Sequence, residues 1–164
     1  MPTDEYKLIE EMAKSTRTWR DRALEGIAKD SLSDLSYRPR SGMSSLGWLI
    51  GHQGAGYDFS LNVLILGGSS SRPEFLKKFV PGTSGDWDGT PLKEMLQYYD
   101  STEHDFLAWA ESTTEEELDR IVDRKEIPQF FRGMTVRRII SHLFVHLNHH
   151  NGQLLALKRD WLRR

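Results

Sequence analysis

Four of the chain's six histidines, His142, His146, His149 and His150, fall within nine consecutive positions. His142, His146 and His150 follow one another at i+4, so on a helix they project from one face. The same face carries Leu143, Leu147 and Leu154, which turns these histidines toward an apolar interior. His149 is rotated by about 100° from His150 and belongs at the edge or outside. Two imidazoles one turn apart on a rigid helix make a bidentate site for a divalent transition metal. A third ligand is needed, and the candidate is His52, within Trp48-Leu49-Ile50-Gly51-His52-Gln53. Gly51 and Gly56 would let another helix come close to it. The outer two of the i+4 histidines lie ~11–12 Å apart along the axis, so all three cannot share one ion. One adjacent pair must serve, and spacing alone leaves the choice open.

A lone histidine on an apolar face is ordinarily a hydrogen-bonded core residue, and His52 by itself carries no more than that. Three stacked histidines differ, because burying them without partners strands several nitrogens at roughly 1–3 kcal/mol each. A divalent ion with ordered water offsets that cost more readily than imidazoles bonding to one another. Zinc, nickel, iron and manganese all suit such ligands, and spacing does not rank them. Competing architectures fit less well. No histidine has Glu three residues before it, as di-iron carboxylate helices require, and His-Glu-x-x-His is absent. Bis-His haem ligation would leave a third inward histidine unexplained. Gly-x-Ser-x-Gly is also missing, and Ser69-Ser70-Ser71 reads as loop.

Any metal must be held by His, Asp, Glu or backbone oxygen, because the chain contains Cys 0. Disulfide frameworks, iron–sulfur sites and cysteine nucleophiles are thereby excluded. The 164 residues suit a single domain spanning 1–164. Lys+Arg 22 against Asp+Glu 24 gives a net charge of −2, without the basic excess of a nucleic-acid binder. No apolar run approaches the ~20 residues of a membrane helix, and the acidic start Met1-Pro2-Thr3-Asp4-Glu5 lacks a signal region. A cytoplasmic protein is expected, with no nucleic-acid or membrane partner.

Four segments have the periodicity to position the histidines. In the first, capped by Thr3, Leu8, Met12, Ser15, Trp19, Ala23 and Ile27 form the expected buried stripe, with Arg17, Arg20 and Asp21 among the solvated residues. Residues 31–39 read as its exit loop. The second runs from about Ser44 to Leu66, with Leu46, Leu49, Ile50, Leu61 and Leu64 as core, and ends at Gly67-Gly68. A Gly/Ser/Pro-rich connection follows from Gly67 to Thr90, a length that is usually functional or disordered. Its apolar cluster Phe75, Leu76, Phe79 and Val80 is placed to fold over a site. Thr90-Pro91 then reads as N-cap and first helical residue of the third segment, which carries Leu92, Met95, Leu96, Tyr99, Phe106, Leu107 and Ala110. Thr114 to Glu117 is a capping box, and extended chain is expected around Ile127-Pro128. Thr135 caps the last helix, which ends in Lys158, Arg159, Arg163 and Arg164. The fold class expected is all-α, a four-helix bundle with a long connection between helices 2 and 3.

Gly47-Trp48-Leu49-Ile50-Gly51-His52 and His146-Leu147-Asn148-His149-His150-Asn151-Gly152-Gln153-Leu154 resemble the two signatures of the DinB/YfiT-like superfamily. The resemblance spans essentially the whole chain. It implies that the ligand pair is the one ending just before x-Gly-Gln, His146 and His150, joined by His52. His142 then becomes a pocket residue, with Gln153, Trp48 and Tyr57 as further residues around the site. Asn151 stands where many relatives have arginine, a departure bearing on local hydrogen bonding rather than ligation. The resemblance further implies a bacterial four-helix bundle, often a homodimer, that binds a divalent ion. Several members are transferases or isomerases using low-molecular-weight thiols.

An ion held by three neutral imidazoles keeps its full charge and open positions, and so lowers the pKa of a water or thiol that reaches it. The first functional expectation is a thiol S-transferase, with the thiol cosubstrate supplying the nucleophile and a small-molecule electrophile admitted beneath the 67–90 connection. The alternative is a metal-dependent hydrolase, for which Asp58, Glu103 and His104 are the inward-capable bases, a solvated face being the ordinary placing of each. A non-catalytic, metal-stabilised binding bundle is the third. Trp19, Trp48, Tyr57, Tyr99 and Trp109 are most simply core, and Arg137 and Arg138 a solvated face or dimer contact.

Overall fold

In the computed structural model, residues 3–27 and 35–163 are described. The expected exit loop at 31–39 and the terminal Arg164 fall partly or wholly outside them. The described chain is mostly helical, with long helices α1 (Asp4–Leu24), α2 (Leu46–Asp58), α4 (Leu92–Ser112) and α6 (Val136–Trp161) and shorter α3 (Pro73–Phe79) and α5 (Glu115–Asp119). α2 packs on α4 and α6, and α1 on α6 and α4. No described helix is long and apolar enough to cross a membrane.

Capping follows the sequence where a hydroxyl can reach a free amide. Thr3, Ser45, Thr114 and Thr135 each accept from the backbone N–H three residues on. The third long helix departs from expectation. It begins at Leu92 with Pro91 as cap residue, and the Thr90 hydroxyl bonds instead to Asp88 at 2.6 Å. Between α5 and α6, Ile121–Val122 (β1) and Met134–Thr135 (β2) form a two-residue antiparallel ribbon. Ile127-Pro128 lie outside the ribbon and lead into a 3₁₀ turn at Gln129–Phe131, with Pro128 itself extended at φ −55° and ψ 139°.

The first helix corrects the expected stripe by about one residue. Its buried face is Ile9, Ala13, Thr16, Arg20 and Ala23, while Leu8 is 63% and Trp19 44% exposed. Arg20 earns its burial through partners from elsewhere: its guanidinium lies 4.0 Å over the Tyr99 ring and bonds Asp100 and Asp21. Arg17 pairs with the buried Glu103.

Beyond Asp58 the second helix continues as a π-helical turn, Phe59–Ile65. Its last carbonyls are capped by two arginines, Arg124 at Leu64 (2.7 Å) and Arg120 at Ile65 (2.8 Å). Gly67, at φ +75°, ends it, and the Gly68 amide returns to the Asn62 carbonyl.

Apolar side chains gather in two clusters. One holds Tyr57, Leu61, Leu64, Phe106, Val136, Leu143, Phe144 and Leu147. The other holds Leu46, Ile50, Phe79, Met95, Leu154 and Leu157. α2 and α6 pass through both in opposite order, so they run antiparallel. Residues 52–54 and 148–151 fall at the seam. There Gln53 donates to Asn151 (3.0 Å), Asn151 to the Thr16 carbonyl (3.0 Å) and Asn148 to the Thr16 hydroxyl (2.9 Å). Asn151 thus ties the last helix to α1 and α2, a polar layer between two apolar ones.

Candidate metal centre

Where α2 crosses α6, His52 meets His146 and His150. One nitrogen of each ring lies within 4.8 Å of the others, and the His52 and His146 Nε2 atoms are 2.9 Å apart. His52 and His150 are 5% and 9% exposed, and His146 is partly exposed. The far side of two rings is fixed by hydrogen bonds. His52 Nδ1 donates to the Phe79 carbonyl, and His150 Nδ1 donates to Gln153 Oε1 at 2.7 Å. Those bonds place the proton on Nδ1 and turn each Nε2 lone pair inward, as metal-ligating imidazoles require. Trp48 holds the His52 plane by stacking at 4.4 Å and 16°.

Burial keeps these rings uncharged. Desolvation pushes His52 down to about 4, against the partial support of the Phe79 carbonyl. It pushes His146 to about 3, with the neighbouring His150, His52, His142 and His149 adding to the effect. His150 is lowered by the same burial. The Nε2 atom of His150 is buried without a hydrogen-bond partner. Two converging lone pairs and an orphaned third nitrogen fit a divalent ion, which takes all three, better than imidazoles bonding among themselves.

The chain after Gly67 is the strap that closes the site. Asp58 accepts from Asn62 (2.7 Å), Ser70 (2.6 Å), the Ser71 amide (2.9 Å) and Tyr98 (2.5 Å). Burial would raise the Asp58 carboxyl, but those donors hold it below its ordinary range. From that anchor α3 carries Phe79 onto the bare Gly51 backbone, where a Cβ would collide with the Phe79 ring. The strap then returns through Thr83, bonded to Trp48 Nε1 at 2.8 Å, and Gly85, whose carbonyl accepts the Ser45 amide at 2.8 Å. Gly56, by contrast, only touches Leu143 and Leu147 side chains.

A cavity of about 380 Å³ lies beside the histidines, with His52 and His146 in its wall. Leu76, Phe79 and Val80 close one side, as the apolar cluster of the connection led us to expect. Pro128 and Phe131 close another, and nothing in their spacing marked them. His142 also lines it, 6.1 Å from His146 and packed against Phe130 and Phe131. His149 is exposed.

Four expected site residues stand elsewhere. Tyr57 is fully buried in the first apolar cluster against Tyr99, Phe106 and Phe144, its hydroxyl 3.3 Å from Glu103, and burial keeps it protonated. Asp58 and Glu103, expected on solvated faces, are 1% and 3% exposed, yet neither is among the residues lining the cavity. Glu103 continues the i+4, i+3 stripe of Tyr99, Phe106 and Ala110, a period that could have flagged it. His104 is exposed.

A DinB-like protein from Bacillus subtilis (YjoA), known from its crystal structure, superposes with a TM-score of 0.61 at 22% identity, covering 92% of this chain and 92% of that one. That likeness concerns the fold. No curated protein matches the chain. The family model described as the DinB superfamily matches residues 9–154, a span containing all three converging histidines, all of α2 and most of α6. The chain belongs to the DinB superfamily.

Proposed function

We propose that the protein is a one-domain four-helix bundle that binds a divalent transition metal (Zn, Ni, Fe or Mn) through His52, His146 and His150, and is a metal-dependent S-transferase joining a low-molecular-weight thiol to a small electrophile. The observation that carries this reading is the convergence of imidazole nitrogens within 4.8 Å, with the His150 Nε2 left otherwise unpartnered. An ion bound there would lower the pKa of a thiol reaching it. The chain's own part is to hold three neutral donors, to orient them through the Phe79 carbonyl and Gln153, and to keep bulk water back with the strap. Cosubstrate sulfur is required because the sequence has Cys 0.

Hydrolysis is the weaker reading. Its candidate bases Asp58 and Glu103 are engaged in hydrogen-bonded clusters, and His104 faces solvent. We take the homodimer expected from the family resemblance and the cytoplasmic location expected from the sequence as part of the same proposal. Metal analysis of freshly purified wild type beside His146→Ala tests the centre. About one ion per chain in wild type and its loss in the variant are expected, and retention in the variant would overturn the site. Conjugation of model electrophiles with common bacterial thiols by the metal-loaded protein tests the activity, and no turnover with any of them would overturn it.

A further inference from the structure

We infer that the 380 Å³ cavity receives an uncharged, apolar substrate portion of one or two rings, with its reacting end against His52 and His146. The inference rests on the preceding reading only for what happens at that reacting end. Phe59, Leu76, Phe79, Val80, Pro81 and Phe131 form the apolar wall, and the Phe59 and Phe131 rings meet edge to face at 6.1 Å. These residues come from the π-helical turn, the strap and the 3₁₀ turn before β2, with Leu143 added from α6. Four separate stretches converging on one space make a built pocket, and not the leftover face of one helix.

Charge decides the ligand class. Among the described residues that line the cavity there is no Asp, Glu, Lys or Arg; the polar side chains are Ser60 and the histidines 52, 142 and 146. An ionised group entering would shed its water with no counter-charge to meet it, whereas an apolar group gains by leaving water. The volume lies at the small end of the roughly 300–1,000 Å³ typical of ligand pockets, which suits one or two rings. In a thiol transfer this is the place of the electrophile, since a thiol carrying ionised groups finds no partner on these walls.

A matched pair of fluorescent probes tests the assignment: 1-anilinonaphthalene, which is uncharged, and its 8-sulfonate. Both are titrated into the purified protein, with and without added Zn²⁺. The uncharged probe should bind with the same affinity in both conditions, and the sulfonate at least tenfold more weakly in the absence of Zn²⁺. Val80→Asp, at a partly exposed strap position, should weaken the uncharged probe at least tenfold while leaving Zn²⁺ stoichiometry unchanged. Leu76→Trp, which fills the space, should do the same without adding charge. Equal binding of the two probes without Zn²⁺, or unaltered uncharged-probe binding in both variants, would overturn the inference. Wild type that binds the uncharged probe but takes up none of Zn²⁺, Ni²⁺, Fe²⁺ and Mn²⁺ would support the cavity assignment and overturn the metal reading instead.

Discussion

The two nitrogens of His52 do different work, one fixed by the Phe79 carbonyl and the other turned toward His146, and both depend on a neutral ring. Because folding lowers His52 to about 4 and His146 to about 3 from an unfolded value near 6.5, the unfolded chain binds more protons between those limits. The metal-free protein should therefore keep its full stability above about pH 6.5 and lose it as pH falls toward 4. Urea melts at pH 7 and pH 5 check this, with a smaller drop expected in His146→Ala. Asp58 does not confuse that window, since its lowered carboxyl withdraws stability only on further acidification. The histidines were legible in the sequence because i+4 spacing on an apolar face is a local property. Glu103 sits on the period of Tyr99, Phe106 and Ala110 and was legible to that extent, but Arg20 and Asp58 were not, because their burial depends on Tyr99 and Ser70, partners that no periodicity reveals.

Among the elements, α2 and its π-helical continuation were legible from their apolar spacing and the end at Gly67, and the short α3 was hidden in a stretch whose composition reads as loop. What the glycines do also had to await the fold. Replacing a helical glycine by alanine ordinarily stabilises by about 0.5–1 kcal/mol. Gly152 lies in α6 with nothing near its missing Cβ, so Gly152→Ala should raise stability by about that amount. At Gly51 the Phe79 ring occupies the Cβ position, and overpacking of about 1–3 kcal/mol outweighs the propensity gain. Gly51→Ala should lower the urea midpoint and, by shifting the Phe79 carbonyl off His52, weaken metal binding as well. Calorimetric titration with Zn²⁺ separates the two effects, since Gly152→Ala should leave affinity within experimental error of wild type.

For the molecule as a whole, the histidines bridge the seam between two apolar clusters, so an ion there joins α2 to α6 where apolar contact is interrupted. Binding to the folded state alone adds about 4 kcal/mol at a thousandfold excess over Kd, and each kcal/mol shifts Tm by about 2–4 °C at this size. A chelator should thus lower Tm by roughly 10 °C in wild type and leave His146→Ala unmoved; equal shifts would sink the site. If added thiol perturbs the spectrum of a cobalt-substituted centre, the ion is open to ligands and a purely structural role fails. The overall helical plan was legible from four apolar stripes, while the cavity was not, because it is assembled from stretches far apart in the chain. The Phe59–Ile65 turn sets a last constraint. A short π segment is equivalent to one residue added to an α-helix, so excising a residue there would restore regular pitch and swing the downstream chain by about 100°. Ser70 and Ser71 would come away from Asp58, whereas lengthening the exposed bend at Gly82, where nothing crowds the backbone, would cost little. Deletions and insertions in natural relatives should therefore avoid the first place and collect in the second.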